Sequence, residues 1–179
     1  MPRAVDVDES FDEFARSAFL GLVRLGFVLV GDRERGEDLA QHALVKVFLR
    51  WDQIVTKDAA ASYARTVMVR QAGRWARRRW RGEQPTDPAA LPARADREHA
   101  DEVVATESLR AALMRLPHGQ RAVVVLRYFA MNTEAEIAAM LRISQGTVKS
   151  RASRALAALR SMGVLDDVHP SSDLQRRST

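Results

Sequence analysis

The sequence predicts an all-α protein: two small helical domains joined by a flexible, acidic, Pro/Ala-containing linker, the C-terminal domain carrying a helix-turn-helix. Three observations predict it. Apolar residues recur every three or four positions along most of the chain, and no stretch alternates with period two for long enough to build a sheet. Val123, Val124 and Val125 are β-prone in isolation, but their flanks keep the helical period. Residues 82–100 place Pro85, Pro88 and Pro92 among Ala, Asp, Glu and Arg, with Thr86 the one β-branched residue, and so read as a linker. Fully extended, that stretch reaches roughly 60 Å. Charge, finally, falls into blocks: net −4 over residues 1–40, +8 over 41–82, −4 over 83–110, +6 over 111–165 and −1 over 166–179, within a total of +5.

Each element follows from its pattern. Residues 10–30 put Phe11, Phe14, Ala15, Ala18, Phe19, Leu22, Val23 and Phe27 at helical spacing, and Gly31-Asp32 is a C-terminal stop. A second helix over 33–51 turns Leu39, Ala43, Leu44, Val47 and Phe48 inward, and 52–60 is a polar connection without a strong period. A third helix from Ala60 buries Tyr63, Val67 and Met68 and runs into a cationic stretch over 74–81. Beyond the linker, a helix over 101–115 ends at Leu116-Pro117-His118-Gly119, and another covers 120–129. Thr133-Glu134-Ala135-Glu136 reads as a capping box opening a short helix with Ile137, Ala138, Met140 and Leu141 on its apolar side. Only Arg142-Ile143-Ser144 separates it from the last helix, so the two cross sharply. The domains are therefore 10–81 and 101–162, with 163–179 a polar, disordered tail.

Composition narrows the function classes. The 179 residues are 46% hydrophobic, enough for packed cores of modest stability in each half. With no cysteine there are no disulfides and no thiolate metal sites, which fits a reducing cytoplasm. Residues 1–13 are acidic and lack the order of a secretory signal, and the apolar run 19–30 contains Arg24 and is too short to span a bilayer. There is no Gly-rich phosphate loop, nucleophile elbow or histidine pair at metal spacing. Asp38 and His42 share a face without further ligands, and His99, His118 and His169 read as isolated surface residues. The expectation is a non-enzyme with no cofactor, metal or membrane insertion.

Two cationic helices carry the functional signal. In the last one, Val148, Ala152, Ala155, Leu156 and Leu159 make an apolar stripe, and Gly146, Thr147, Ser150, Ser153 and Arg154 lie opposite, flanked by Lys149 and Arg151. Ser144 is its N-cap, next to Gln145, and free N–H groups there favour a phosphate. A hydroxyl-rich cationic face of this kind suits a DNA groove. In the earlier block, Arg74, Trp75, Arg77, Arg78, Arg79, Trp80 and Arg81 interleave cations that neutralise phosphate with indoles that stack on unpaired bases. Membranes and acidic proteins are polyanions as well, so charge alone leaves the partner open.

The order of these features resembles the sigma-70 superfamily of bacterial RNA polymerase initiation factors, in its short two-domain extracytoplasmic function (ECF) form. The segment from Leu116-Pro117-His118-Gly119-Gln120-Arg121 to Leu126-Arg127-Tyr128-Phe129 is similar to the family's C-terminal DNA-binding domain. So are Thr133-Glu134-Ala135-Glu136-Ile137-Ala138, Gly146-Thr147-Val148-Lys149-Ser150-Arg151 and Ser153-Arg154-Ala155-Leu156. Gly31-Asp32, Glu37-Asp38-Leu39-Ala40-Gln41, 48–52 and 63–81 are similar to its N-terminal domain, so the likeness covers most of 10–161. The resemblance implies docking on the clamp helices of the polymerase's largest subunit through Asp38, Leu39, Gln41 and His42. It implies melting and reading of the minus-ten element by the 52–63 connection and by Tyr63, Arg70, Arg74, Trp75, Arg77 and Arg78. It also implies reading of the minus-thirty-five element by Arg142, Ser144, Gln145, Gly146, Thr147, Lys149, Ser150, Arg151, Ser153 and Arg154, with Lys149 and Arg151 towards phosphate. The partners implied are core RNA polymerase and promoter DNA, double- and single-stranded, in the cytoplasm, with room for an anti-sigma factor.

Three positions depart from the family pattern: Arg142 stands where a turn glycine is usual, His42 where an acid is usual, and Arg70 where Asn is common. Arg142 implies either a positive φ or a different turn. The alternative is a free-standing helix-turn-helix regulator that binds an operator as a homodimer, which leaves the first cationic block without a task.

Overall fold

The computed structural model describes residues 9–54, 56–80 and 100–164, and among these the regular structure is helical. The order is α1 (Glu9–Val30), α2 (Arg33–Phe48), a 3₁₀ turn (Trp51–Gln53), α3 (Lys57–Trp80), α4 (Ala100–Arg115), α5 (His118–Val124) continued by a π-helical turn (Val125–Phe129), α6 (Glu134–Leu141) and α7 (Gln145–Ser161). The linker reading over 82–99 and the tail reading from 165 onward lie outside the described residues, as do the side chains of 79 and 80.

Three boundaries differ from the sequence reading by two residues or more, each for an identifiable reason. Helix α3 begins at Lys57 rather than Ala60, because the Thr56 hydroxyl accepts from the Ala59 N–H (3.1 Å) and caps a first turn too polar to show a period. Helix α2 ends at Phe48, and Trp51 leaves the helix to pack its ring 5.3 Å from Phe11 and 5.4 Å from Phe14, while its indole N–H donates to Ser10 (3.0 Å). Helix α5 starts at His118, directly after Pro117, and then widens into a turn closed by Ala130 N–H donating to Val125 C=O (3.1 Å). That widening swings Tyr128 and Phe129 outward, and the next residue but one, Met131, sits at φ 53°.

Helices α1 and α2 form a hairpin. Asp32 is the N-cap of α2, accepting from the Arg35 N–H at 2.8 Å. Gly31 adopts φ 76°, and its carbonyl accepts from Arg110 of α4 (2.7 Å). The hairpin helices touch backbone to backbone at Gly26 and Gly36: a Cβ on Gly26 would lie 2.7 Å from the Gly36 Cα. No flexible side chain stands there to move aside.

Packing is continuous across both halves. One buried cluster contains Leu22, Leu25 and Leu29 of α1, Leu39, Ala43 and Val47 of α2 and Ala64, Met68, Val69 and Ala72 of α3. The same cluster runs on through Val123, Val125, Leu126, Ile137, Met140, Val148 and Ala152 of the C-terminal helices. A smaller one joins Ala112, Leu113 and Leu116 to Val124, Ala155 and Leu159 and completes the α4–α5–α7 packing. Burying each leucine side chain contributes about 2 kcal/mol. Phe48, read from its spacing as an inward residue, is 40% exposed, because its ring lies on the outside of Phe11 at 5.0 Å instead of beneath it.

Gly26→Ala is expected to destabilise the fold by about 1–3 kcal/mol, since one methyl forces the α1–α2 backbones apart. Thermal or urea unfolding of the two proteins measures it, and equal stability would contradict the close approach.

Candidate nucleic-acid interface

The turn between α6 and α7 is set by local hydrogen bonding. Thr133 caps α6 as read from the sequence: its hydroxyl accepts from the Glu136 N–H (3.3 Å), and the Glu136 carboxylate accepts from the Thr133 N–H (2.7 Å). The Thr133 N–H, and after it the Thr133 hydroxyl donating to the same carboxylate (2.9 Å), hold the Glu136 carboxyl below its usual pKa. Arg142 occupies the left-handed region (φ 55°), its N–H bonded to Ala138 C=O, so a side chain fills the place that a turn glycine takes with less strain. Ser144 then caps α7 by accepting from the Thr147 N–H at 3.1 Å.

This geometry orients α7. Val148, Ala152, Ala155 and Leu159 are buried and Leu156 partly so, while Gln145, Gly146, Lys149, Ser153 and Arg154 are exposed on the outer side with Ser144 and Arg142 beside them. Thr147, Ser150 and Arg151 are half-buried at its edge. Ser150 spends its proton on the Thr147 carbonyl (3.1 Å), leaving its oxygen as an acceptor. Lys149 stands 3.7 Å from Glu134, which also pairs with Arg127 at 2.8 Å. The Lys149 ammonium, exposed and at the longer distance, contributes little there and yields readily to another anion.

On α3, Tyr63 and Trp75 are half-buried, and Arg70, Arg74, Arg77 and Arg78 are exposed. The Arg50 guanidinium lies over the Tyr63 ring at 5.3 Å. Arg74 and Arg78 line a hollow of about 290 Å³ with His42, Lys46 and Gln71. Burial first, and then Lys46 and Arg74, push the His42 pKa down, and its Nε2 is buried without a hydrogen-bond partner among the described residues. Arg70 faces the C-terminal helices, its Nε donating to the Met140 carbonyl at 3.0 Å.

On α2 the outer stripe is Asp38, Gln41, Val45 and Leu49, with His42 at its edge. Leu39 is fully buried, a correction to its assignment on a docking surface and in keeping with its inward helical spacing: it fixes α2 against the core. Sequence reasoning missed Val45 (56% exposed) and Leu49 (65%), two apolar side chains facing outward. Their signal was available, since both continue the 3.6-residue stripe that begins at Asp38. His118 also corrects the reading of an isolated surface residue. It is half-buried where α3 meets α5 and α7, and burial, followed by Arg121, Arg77 and Arg151, pushes its pKa down to about 4. Among the described residues no group of three or more His, Cys, Asp or Glu converges on a metal position, and no helix is long and apolar enough to cross a membrane.

Residues 112–161 match the family described as Sigma-70, region 4. Over 152 residues the chain is 40% identical to the RNA polymerase sigma-E factor of Streptomyces avermitilis, covering 84% of this chain and 83% of that protein. It is 38% identical over 160 residues to the RNA polymerase sigma-E factor of Streptomyces coelicolor, covering 88% of each. Among solved structures it is similar to the sigma factor RpoE of Bartonella quintana, in its complex with the anti-sigma factor NepR, with a TM-score of 0.66, 23% identity, and coverage of 86% of this chain and 98% of that one. A PhyRSL–NepR complex from Sphingomonas sp. Fr1 matches with a TM-score of 0.57 and 18% identity over 88% of this chain and 92% of that one. These two identities speak for the fold alone, whereas the two relatives from Streptomyces settle the family. The chain belongs to the RNA polymerase sigma factors of the sigma-70 superfamily, ECF type.

Two outcomes follow from the geometry. Arg142→Gly relieves the left-handed backbone and is expected to stabilise the protein by about 0.5–1 kcal/mol, the strain released exceeding the extra chain entropy; a fall in unfolding midpoint would contradict this. The fold favours neutral His118, whose pKa lies at about 4 against the ordinary 6.5, so that stabilisation is complete above pH 6.5 and is lost as the pH falls towards 4. The stability difference between wild type and His118→Gln should therefore shrink across that window, and a difference independent of pH would sink the assignment.

Proposed function

We propose that this sigma factor binds core RNA polymerase and directs it to promoters through two modules, 10–81 and 101–162, joined by the 82–100 linker. The observation that carries the reading is α7: a capped helix whose apolar stripe is buried and whose opposite side offers Gly146, Lys149, Ser153 and Arg154 to solvent. In this reading Arg142, Ser144, Gln145, Gly146, Thr147, Ser150, Ser153 and Arg154 meet the minus-thirty-five element, and Lys149 and Arg151 its phosphates. Tyr63, Arg70, Arg74, Trp75, Arg77 and Arg78 take the minus-ten element as single strand, which the cationic hollow beside α2 supports. Polymerase docks on α2 through Asp38, Gln41 and His42, together with Val45 and Leu49, whose exposed apolar surface is otherwise unexplained. The chain performs no reaction of its own and works where the polymerase works, in the cytoplasm. The complexes of two structural neighbours with NepR support an anti-sigma partner for this chain as well.

Reconstituted transcription tests the whole. Adding the purified chain to core polymerase is expected to give new, sequence-specific start sites, and start sites indifferent to it would refute the reading. At the level of one residue, Arg154→Ala is expected to cost about 1–3 kcal/mol of discrimination at the upstream element if it reads a base. Equal weakening on every sequence would instead make it a phosphate contact.

A further inference from the structure

Where α3 meets the C-terminal helices, the surface folds into a cleft of about 350 Å³. Arg70, Arg74 and Arg77 enter it from α3, His118 from α5, Arg142 from the turn after α6, and Arg151 from α7. Every charged side chain lining it is cationic. Three described arginines outside it pair with carboxylates: Arg16 with Asp12, Arg110 with Glu107 and Arg127 with Glu134. Among the described residues none of the five cleft arginines does so, and the hydrogen bond given by one of them, from Arg70 to the Met140 carbonyl, is to a neutral group.

Apolar packing thus draws five guanidiniums from both halves of the molecule towards one small space. Like charges gathered at one cleft repel, and the arrangement is relieved by a ligand carrying several negative charges at short spacing. Guanidinium forks match phosphate oxygens two at a time, and the volume lies within the range of small-molecule clefts. His118, held neutral by its surroundings, adds one imidazole N–H donor without adding another charge to the wall.

We propose that this cleft is a binding site for a small oligophosphate anion, which bridges α3 to α5 and α7 and holds the two halves together. While it is bound, Arg70, Arg74, Arg77 and Arg151 are withheld from DNA, a consequence that rests on the promoter reading above. The site itself does not rest on it, and its test needs neither polymerase nor promoter.

Phosphate reaches such a cleft from two sources, a free oligophosphate or the backbone of single-stranded DNA, and the experiment separates them. The full chain is titrated with tripolyphosphate at constant ionic strength, read by calorimetry and by the His118 imidazole resonance. The expected result is one bound tripolyphosphate per chain and a His118 pKa raised well above its value without ligand. Gly119→Glu supplies the control. A Cβ there meets the Arg151 Nη1 at 3.0 Å, the far end of a flexible side chain, so the new carboxylate fits and competes inside the cleft. This variant should keep or raise the melting temperature and lose more than about tenfold in tripolyphosphate affinity. Because the chain has no cysteine, Leu20→Cys and Ala157→Cys allow a dye pair on the two halves, both positions being exposed. Tripolyphosphate should raise the urea concentration at which energy transfer between the dyes is lost. Absence of binding, equal affinity in Gly119→Glu, or an unchanged urea midpoint for that loss would each overturn the proposal. So would a single strand of about twelve nucleotides that displaces tripolyphosphate and loses affinity in Gly119→Glu by the same factor, because the cleft would then belong to DNA.

Discussion

The apolar seam that joins α1, α2 and α3 to α5, α6 and α7 is the constraint on which the rest of the structure depends. Met68, Val69 and Ala72 of α3 share one buried cluster with Leu126, Ile137, Met140 and Val148. Charge on balance opposes that union among the described residues, for the two helices richest in cations are the ones it brings together, and the Arg70 bond to the Met140 carbonyl and the attraction of Arg65 for Glu136 offset this only in part. The seam must therefore outweigh the mutual repulsion of Arg70, Arg74, Arg77, Arg142 and Arg151, and burial of apolar surface at roughly 25 cal/mol per Å² is the term large enough to do so. The same packing takes His118 out of water and keeps it uncharged.

Within each half, function follows from what the core leaves outside. Helix α7 exposes a hydroxyl- and cation-bearing side because its small apolar residues, Ala152 and Ala155, let it lie close against its neighbours. Helix α2 exposes Val45 and Leu49 because Leu39, Ala43 and Val47 already fill its inner side. Capping holds both in register: Asp32 begins α2, Thr133 begins α6 and Ser144 begins α7, each through a side-chain oxygen on a backbone N–H. The sharp crossing of α6 and α7 is accomplished with an arginine in the left-handed region, which trades backbone comfort for a cation beside the outer side of α7.

Much of the candidate interface was legible because its signals are local. The capping box at Thr133, the cap at Ser144 and the apolar stripe of α7 each involve residues within one or two turns of one another, and the structure forms them as read. Helix ends were less legible where the deciding group lay elsewhere. Trp51 leaves α2 to reach rings on α1, and Phe48 lies outside Phe11 for the same reason. Leu39 is buried, as its helical spacing with Ala43 and Val47 had placed it, and the conflict lay with the docking role that the family resemblance gave it.

By itself the sequence determined the helical class, the caps, the cation-bearing faces and the likeness to a promoter-recognising family, since period, capping and composition act over a few residues. Only the tertiary structure decided that the two halves share a core, that Arg142 takes a positive φ, and that His118 sits neutral among arginines. The shared core and the setting of His118 depend on groups brought together from opposite ends of the chain, where burial and Coulomb forces act through space and leave no periodic trace along it, while the turn at Arg142 was open between two local conformations that the sequence pattern does not distinguish.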